Sequence, residues 1–318
     1  MQDSGAANKN VAVGFQAGVA VTTGIQNTLM GGHAGDALTT GSYNTAIGYN
    51  ALTTEDTGNY NTAIGRGALQ GLDAGNAYNT AVGYNAGTNV TTGVESVFIG
   101  GAAGDAITTA SANVAVGYAA LSTEDTMGNN TAVGYKALQD LNTGENGNTV
   151  AIGAEAGRRL STGVKNTIVG ALAGDHLTTG DYNVAIGYQA LTTEDAHGRN
   201  VAVGYNTLRD LDAGADAYNV AVGYEAGKAI STGIKNTIIG GLAGDALTAG
   251  GENVAIGYNA LSTEDAHGRN VAIGNDTLAS LDAGAEGYNT AVGYGTGYVM
   301  TTGIQNTLVG ALAGDAIT

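Results

Sequence analysis

Asn44-Thr45-Ala46-Ile47-Gly48-Tyr49-Asn50-Ala51 is the stretch that decides the fold, because it recurs in slightly altered form along the whole chain. The first copy is Asn10-Val11-Ala12-Val13-Gly14 and the last is Asn306-Thr307-Leu308-Val309-Gly310. There are 18 copies, most starting 17 residues after the one before and a few 18 or 19 after. Gly closes the apolar run in every copy, which points to a backbone shape that only Gly tolerates. Asn opens every copy except those at Ser96 and Thr149.

A second period lies over the first. The copies at Asn10, Asn79, Thr149, Asn219 and Asn289 share their variant features and lie 69 or 70 residues apart, so the duplicated unit is four coils. The first coil type has Ala-Gly followed by a Thr-Thr-Gly turn. The second has Ala-Gly-Asp, as at Asp36, Asp105, Asp175, Asp245 and Asp315, the third has Thr-Glu-Asp, and the fourth has Leu-Asp or Leu-Asn with the extra residues.

Seventeen residues cannot hold the paired helices of a helical repeat, which needs about 33 to 47. Glycine density and β-branched residues at period two (Val184 and Ile186, Val254 and Ile256) favour short strands instead. The expectation is an all-β chain: a parallel β-solenoid, or β-roll, of about 18 coils of 17–19 residues with a four-coil superrepeat of about 70 residues. Residues 1–9 would be an N-terminal extension and 10–318 a single repeat domain. Rungs stacked at ~4.8 Å would give a rod of about 85 Å. Asn10, Gly14, Asn44, Gly48, Asn183, Gly187, Asn253 and Gly257 are read as structural, the Asn column forming an amide ladder.

Composition narrows the function. The 318 residues contain no Cys, which excludes disulfides, thiolate metal sites and cysteine nucleophiles. A net charge of −17 repels a phosphate backbone or an anionic membrane, so no nucleic-acid partner and no membrane insertion are expected. No run of 18 apolar residues appears, and Met1-Gln2-Asp3-Ser4-Gly5 lacks the features of a signal peptide. The chain end at Ala316-Ile317-Thr318 falls within a coil and is read as a fragment end or an open pairing end.

The middle strand position is also apolar, and in the second coil type it enlarges to Leu29, Phe98, Ile168, Ile238 and Leu308. A thin roll with one interior would expose that column, so these five residues are interface candidates for homo-oligomerisation, the alternative being a wider solenoid cross-section whose other wall covers them.

Asn44 to Ala51, and Asn183-Val184-Ala185-Ile186-Gly187-Tyr188, resemble the head repeats of YadA-like trimeric autotransporter adhesins and the repeats of phage tail fibres. The likeness runs from Asn10 to Thr318. It implies a left-handed parallel β-roll, a homotrimer, display outside the cell or on a virion, and attachment to host-surface glycan or protein. The coil here is longer than in those heads, and no heptad stalk or membrane barrel follows.

Chemistry-bearing residues are few. His33, His176, His197 and His267 do not recur at one position through the superrepeats, so no catalytic residue and no enzymatic activity are expected. Coil alignment places Asp56 over Asp73, Asp195 over Asp212 and Asp265 over Asp282, with Glu55, Glu124, Glu194 and Glu264 adjacent. Stacked like charges either splay into water or share a cation, and Ca2+ suits carboxylates and turn carbonyls. Tyrosine follows the Gly in nine coils, which makes Tyr49, Tyr118, Tyr188 and Tyr258 binding-surface candidates for a glycan or protein, or a self-stacked row. The expected function is a non-enzymatic extracellular fibre or adhesin segment. The alternatives are a filament subunit joined end to end by strand addition and a glycan-binding module.

Overall fold

A computed structural model describes residues 8–123, 126–193 and 196–317. The protein is an all-β parallel solenoid with 18 three-residue strands and no helix among the described residues. It divides into two compact units, Met1–Glu155 and Ala156–Thr318. The first holds nine strands, from Val11–Val13 to Val150–Ile152, and the second nine more, from Thr167–Val169 to Thr307–Val309. Within each unit every strand pairs in parallel with the next coil's, residue for residue: Ala46 sits over Ala63, and Ala185 over Ala202.

Glycine ends each strand for two reasons. Gly14 has φ +134°, and a Cβ there would lie 2.5 Å from the carbonyl oxygen of Gly31 in the next coil. The same column contains Gly48, Gly187 and Gly257, at φ +138°, +136° and +137°.

The Asn column works through the backbone. Asn44 donates its N–H to Oδ1 of Asn27 (2.9 Å) and its Nδ2 to the Gly58 carbonyl (2.7 Å), while its own Oδ1 accepts from the N–H of Asn61 (2.9 Å). Asn10, Asn183 and Asn253 repeat the arrangement: Asn27 donates to Asn10 Oδ1, and Asn183 and Asn253 donate to Asn166 and Asn236. At Ser96 the hydroxyl replaces the amide, accepting from Asn113 at 3.1 Å. The ladder is therefore mainly side chain to backbone, with amide-to-amide bonds added where Asn289 Nδ2 donates to Asn270 Oδ1 and Asn306 Nδ2 to Asn289 Oδ1 (both 3.2 Å). It satisfies otherwise orphaned buried groups at about 1 kcal/mol per bond.

The middle strand position faces inward, which corrects the interface assignment. Leu29, Phe98, Ile168 and Ile238 are fully buried, and Leu308, in the last described strand, is half-buried in the same column, over Ala291. Their size is matched within the coil. Where the strand carries Leu29, the turn carries Gly35, whose Cβ would meet Leu29 Cδ2 at 2.8 Å. Where the strand carries Ala46, the turn carries Leu52, also fully buried. Phe98 is matched in its own coil by Gly104, where a Cβ would run into its ring, and it also fills the space over Gly87 of the preceding coil, where a Cβ would approach the ring to 2.8 Å. The four-coil period is thus a packing period: second-type coils pair a large strand residue with a turn Gly, third- and fourth-type coils pair Ala with a turn Leu, and first-type coils pair Ala with Gly beside the large residues of their neighbours.

Consequently the β-branched flanking positions point outward. Ile99, Ile152, Ile186 and Ile239 are 40%, 41%, 36% and 38% exposed.

Candidate functional site

Three surfaces are built by this coil. The first is the outer face of the strands. In both units its leading column is Thr or Val, and its trailing column is Val or Ile except at Met30. No strand of either unit places a charged residue on it. Over nine rungs at ~4.8 Å and a three-residue width of ~10 Å, each unit presents a stripe of roughly 430 Å², within the range of the largest apolar patch on a typical monomer.

Tyrosine forms the second surface. Tyr118 stacks on Tyr135 (centroids 5.8 Å apart), and Tyr188 on Tyr205 (5.5 Å), which stacks in turn on Tyr224 (5.3 Å). Tyr49 meets His33 edge-on at 6.0 Å, and Tyr258 lies over Gly241. All four candidate rings are exposed, but at Tyr205 both faces are covered by neighbouring rings, leaving edges and hydroxyls outward. A second Tyr column was not expected. Tyr43, Tyr60 and Tyr78 stack at 5.1 and 5.0 Å, and in the second unit Arg199 lies 5.6 Å from the rings of both Tyr182 and Tyr218. Its sequence signal is a Tyr directly before the opening Asn, as in Tyr43-Asn44 and Tyr182-Asn183.

The acidic turns form the third. In the first unit, one ligating atom each from Glu55, Asp56 and Asp73 lie within 4.8 Å of one another; in the second, the same holds for Glu264, Asp265, His267 and Asp282. All four Asp residues are exposed, while Glu55 and Glu264 beside them are fully buried. Asp212 is exposed, and Asp195, its expected partner, lies outside the described residues, as do Glu124 and Glu194. The two buried glutamates tie the turn to the next coil: Glu55 accepts from the N–H of Gly58 (2.6 Å) and of Ala74 (3.2 Å), and Glu264 from His267 (3.0 Å) and Ala283 (3.2 Å). Burial pushes the Glu55 carboxyl above its ordinary value, the backbone donors pull it down, and the Asp73 charge adds to the rise.

The histidines sit apart, each of three beside a carboxylate: His33 by Asp36 (3.1 Å), His176 by Asp175 (3.5 Å) and His267 by Glu264 (3.3 Å). No helix among the described residues is long and apolar enough to cross a membrane. No family model, no curated protein and no solved structure matches the chain.

Proposed function

We propose that the chain is a non-enzymatic segment of an extracellular fibre or adhesin, on a cell surface or virion, whose copies associate as a homotrimer through the outer strand face. The observation that carries this reading is the charge-free double column of Thr, Val and Ile on the strands of both units. A patch of roughly 430 Å² per unit matches the largest apolar patch of a typical monomer, and such patches often serve as interaction sites. Each unit's roughly 430 Å² is about half of the ~800 Å² per partner of a standard interface. A second copy of the same chain is the simplest partner, because its own stripe has the same rung spacing and carries no charge. The net charge of −17 keeps the remaining surfaces apart in solution. The resemblance of Asn44 to Ala51 to adhesin-head and tail-fibre repeats supports the same reading.

Attachment would then be geometric, with the solenoid presenting its turns and tyrosine columns to host glycan or protein. A Ca2+ ion shared between Asp56 and Asp73, and between Asp265 and Asp282, is the cofactor this reading admits, since it would offset the repulsion of stacked carboxylates. The test of the interface is Ile99→Lys together with Ile186→Lys. Both side chains point outward, so the fold is expected to persist, by circular dichroism, while the mass in solution falls to that of one chain. An unchanged oligomer would remove the strand face as its interface.

A further inference from the structure

The superrepeat is regular enough that its departures stand out, and four of them converge on one cleft in the second unit. At the turn after the strand, equivalent first-type coils carry Asn85, Glu155 and Glu225, whereas the last carries Gly295. Three residues on, Thr88, Arg158 and Lys228 give way to Tyr298. In the coil below, Asn275 stands in the tyrosine column where Tyr135 and Tyr205 stand in their own superrepeats, and Asp276 follows where they have Lys136 and Asn206.

Together these changes open a cleft of about 220 Å³ lined by Asp276, Tyr294, Gly295, Tyr298 and Leu312. The missing side chain at Gly295 leaves the notch, and its buried backbone is the floor. Tyr294 and Tyr298, 60% and 47% exposed, are the aromatic walls. Asn275 occupies the position where Tyr135 and Tyr205 stand in their superrepeats, and Ala311 matches the Gly or Ala that every second-type coil carries there, so the faces of Tyr294 are not spent on another tyrosine. The Asp276 carboxylate is held by two amides, Asn259 Nδ2 on Oδ1 (2.9 Å) and Asn275 Nδ2 on Oδ2 (2.5 Å), and has no cationic partner among the described residues.

Two tyrosine walls beside an oriented carboxylate without a counter-ion form the recognition chemistry of an organic cation. The rings attract positive charge through their faces, and the carboxylate supplies the opposite charge. We propose that this cleft binds an alkylammonium group, of the quaternary or lysine side-chain type. The cleft is small for a whole drug-sized ligand and matches a head group. Net negative charge raises the local concentration of such cations.

The experiment titrates choline, with methyl glucoside as the neutral probe, into the full chain and reads saturation-transfer NMR and calorimetry. Choline is expected to bind saturably and methyl glucoside not to bind. Gly295→Asn restores the residue found at position 85, whose φ of 52° is close to the 59° of Gly295, so the backbone accepts it; the new Cβ would meet Leu312 Cδ2 at 2.9 Å, and that flexible side-chain end gives way as the notch is filled. That variant, and Asp276→Asn, are expected to weaken choline binding about tenfold, the loss of one cation–π or ionic contact of ~1.4 kcal/mol. Asp276→Asn is nearly isosteric and serves as the arm if the filled variant misfolds. Saturable glucoside binding without choline binding, equal choline affinity in wild type and both variants, or no saturable binding of either would overturn the proposal.

Discussion

Phe98 and Ile99 are adjacent in one three-residue strand, Val97–Ile99, and the fold assigns them opposite fates. Phe98 is fully buried, with its ring over Gly87, while Ile99 is 40% exposed on the outer face. Phe98→Ala removes the largest buried side chain, and the rigid coils on either side cannot collapse into the space, so the cost is about 3–5 kcal/mol. With a urea slope of ~2 kcal/mol/M for a unit of this size, the midpoint should fall by about 2 M. The loss is local in a stacked array, where each coil contacts only its neighbours. Ile99→Ala should lower the midpoint of the single chain by only ~0.5 M, because less area leaves water when a half-exposed side chain folds. Self-association should respond in the reverse order, weakened by Ile99→Ala and kept by Phe98→Ala below its own unfolding transition. Urea titration by circular dichroism at low protein concentration, paired with light scattering, reads both quantities. If Ile99→Ala lowers the urea midpoint as much as Phe98→Ala, the assignment of inward and outward faces is wrong.

Other outcomes follow from the same geometry. Burial holds the carboxyls of Glu55, Asp105 and Asp245 above their ordinary values. Their charged forms are therefore disfavoured in the folded state, so thermal stability should rise as pH falls from neutral through their raised range and level off near the ordinary carboxylate range. Below that, Glu252, held down by the Arg269 guanidinium, becomes protonated and its contribution is lost, so a stability maximum in mild acid is expected from scanning calorimetry. A midpoint that only falls on acidification would contradict this. Calcium is expected to raise the urea midpoint of the wild type and leave Asp73→Asn combined with Asp282→Asn unchanged; absence of saturable calcium binding by equilibrium dialysis would remove the ion from the account. Tyr205→Ala breaks two stacked pairs and should cost about 1–3 kcal/mol, read in the same denaturation assay. Glycan-array binding lost in Tyr118→Ala combined with Tyr188→Ala would establish the tyrosine row as a contact surface, and binding unaffected by both would exclude it.

Much of the architecture is legible in Asn44 to Ala51 alone. The period of 17, the Gly column and the buried Asn column all follow from residue types that tolerate only a few backbone environments. The direction of the strand faces was not legible from hydrophobicity, because Val and Ile at period two look more like a core than Ala does. What decides the matter is size: the coil is so narrow that its interior accepts Ala, or a larger residue only where the turn supplies Gly. That rule is written in the sequence as Leu29 with Gly35 and Ala46 with Leu52, a pairing visible only when strand and turn are compared within one coil. The Tyr43 column was hidden for another reason. Its backbone has φ +61°, where bulky residues are uncommon, so the position looks like a turn rather than a stacking surface. The cleft at Gly295 emerges only when the fourth superrepeat is laid against the others with the strand register known.

The most direct test of the central claim is the absolute mass in solution by light scattering across a range of protein concentrations, with and without chelator. The account predicts a concentration-independent mass three times that of the 31.4 kDa chain. A mass that grows without limit as concentration rises would favour an end-to-end filament, and a monomer at every concentration would contradict the outer strand face as an interface.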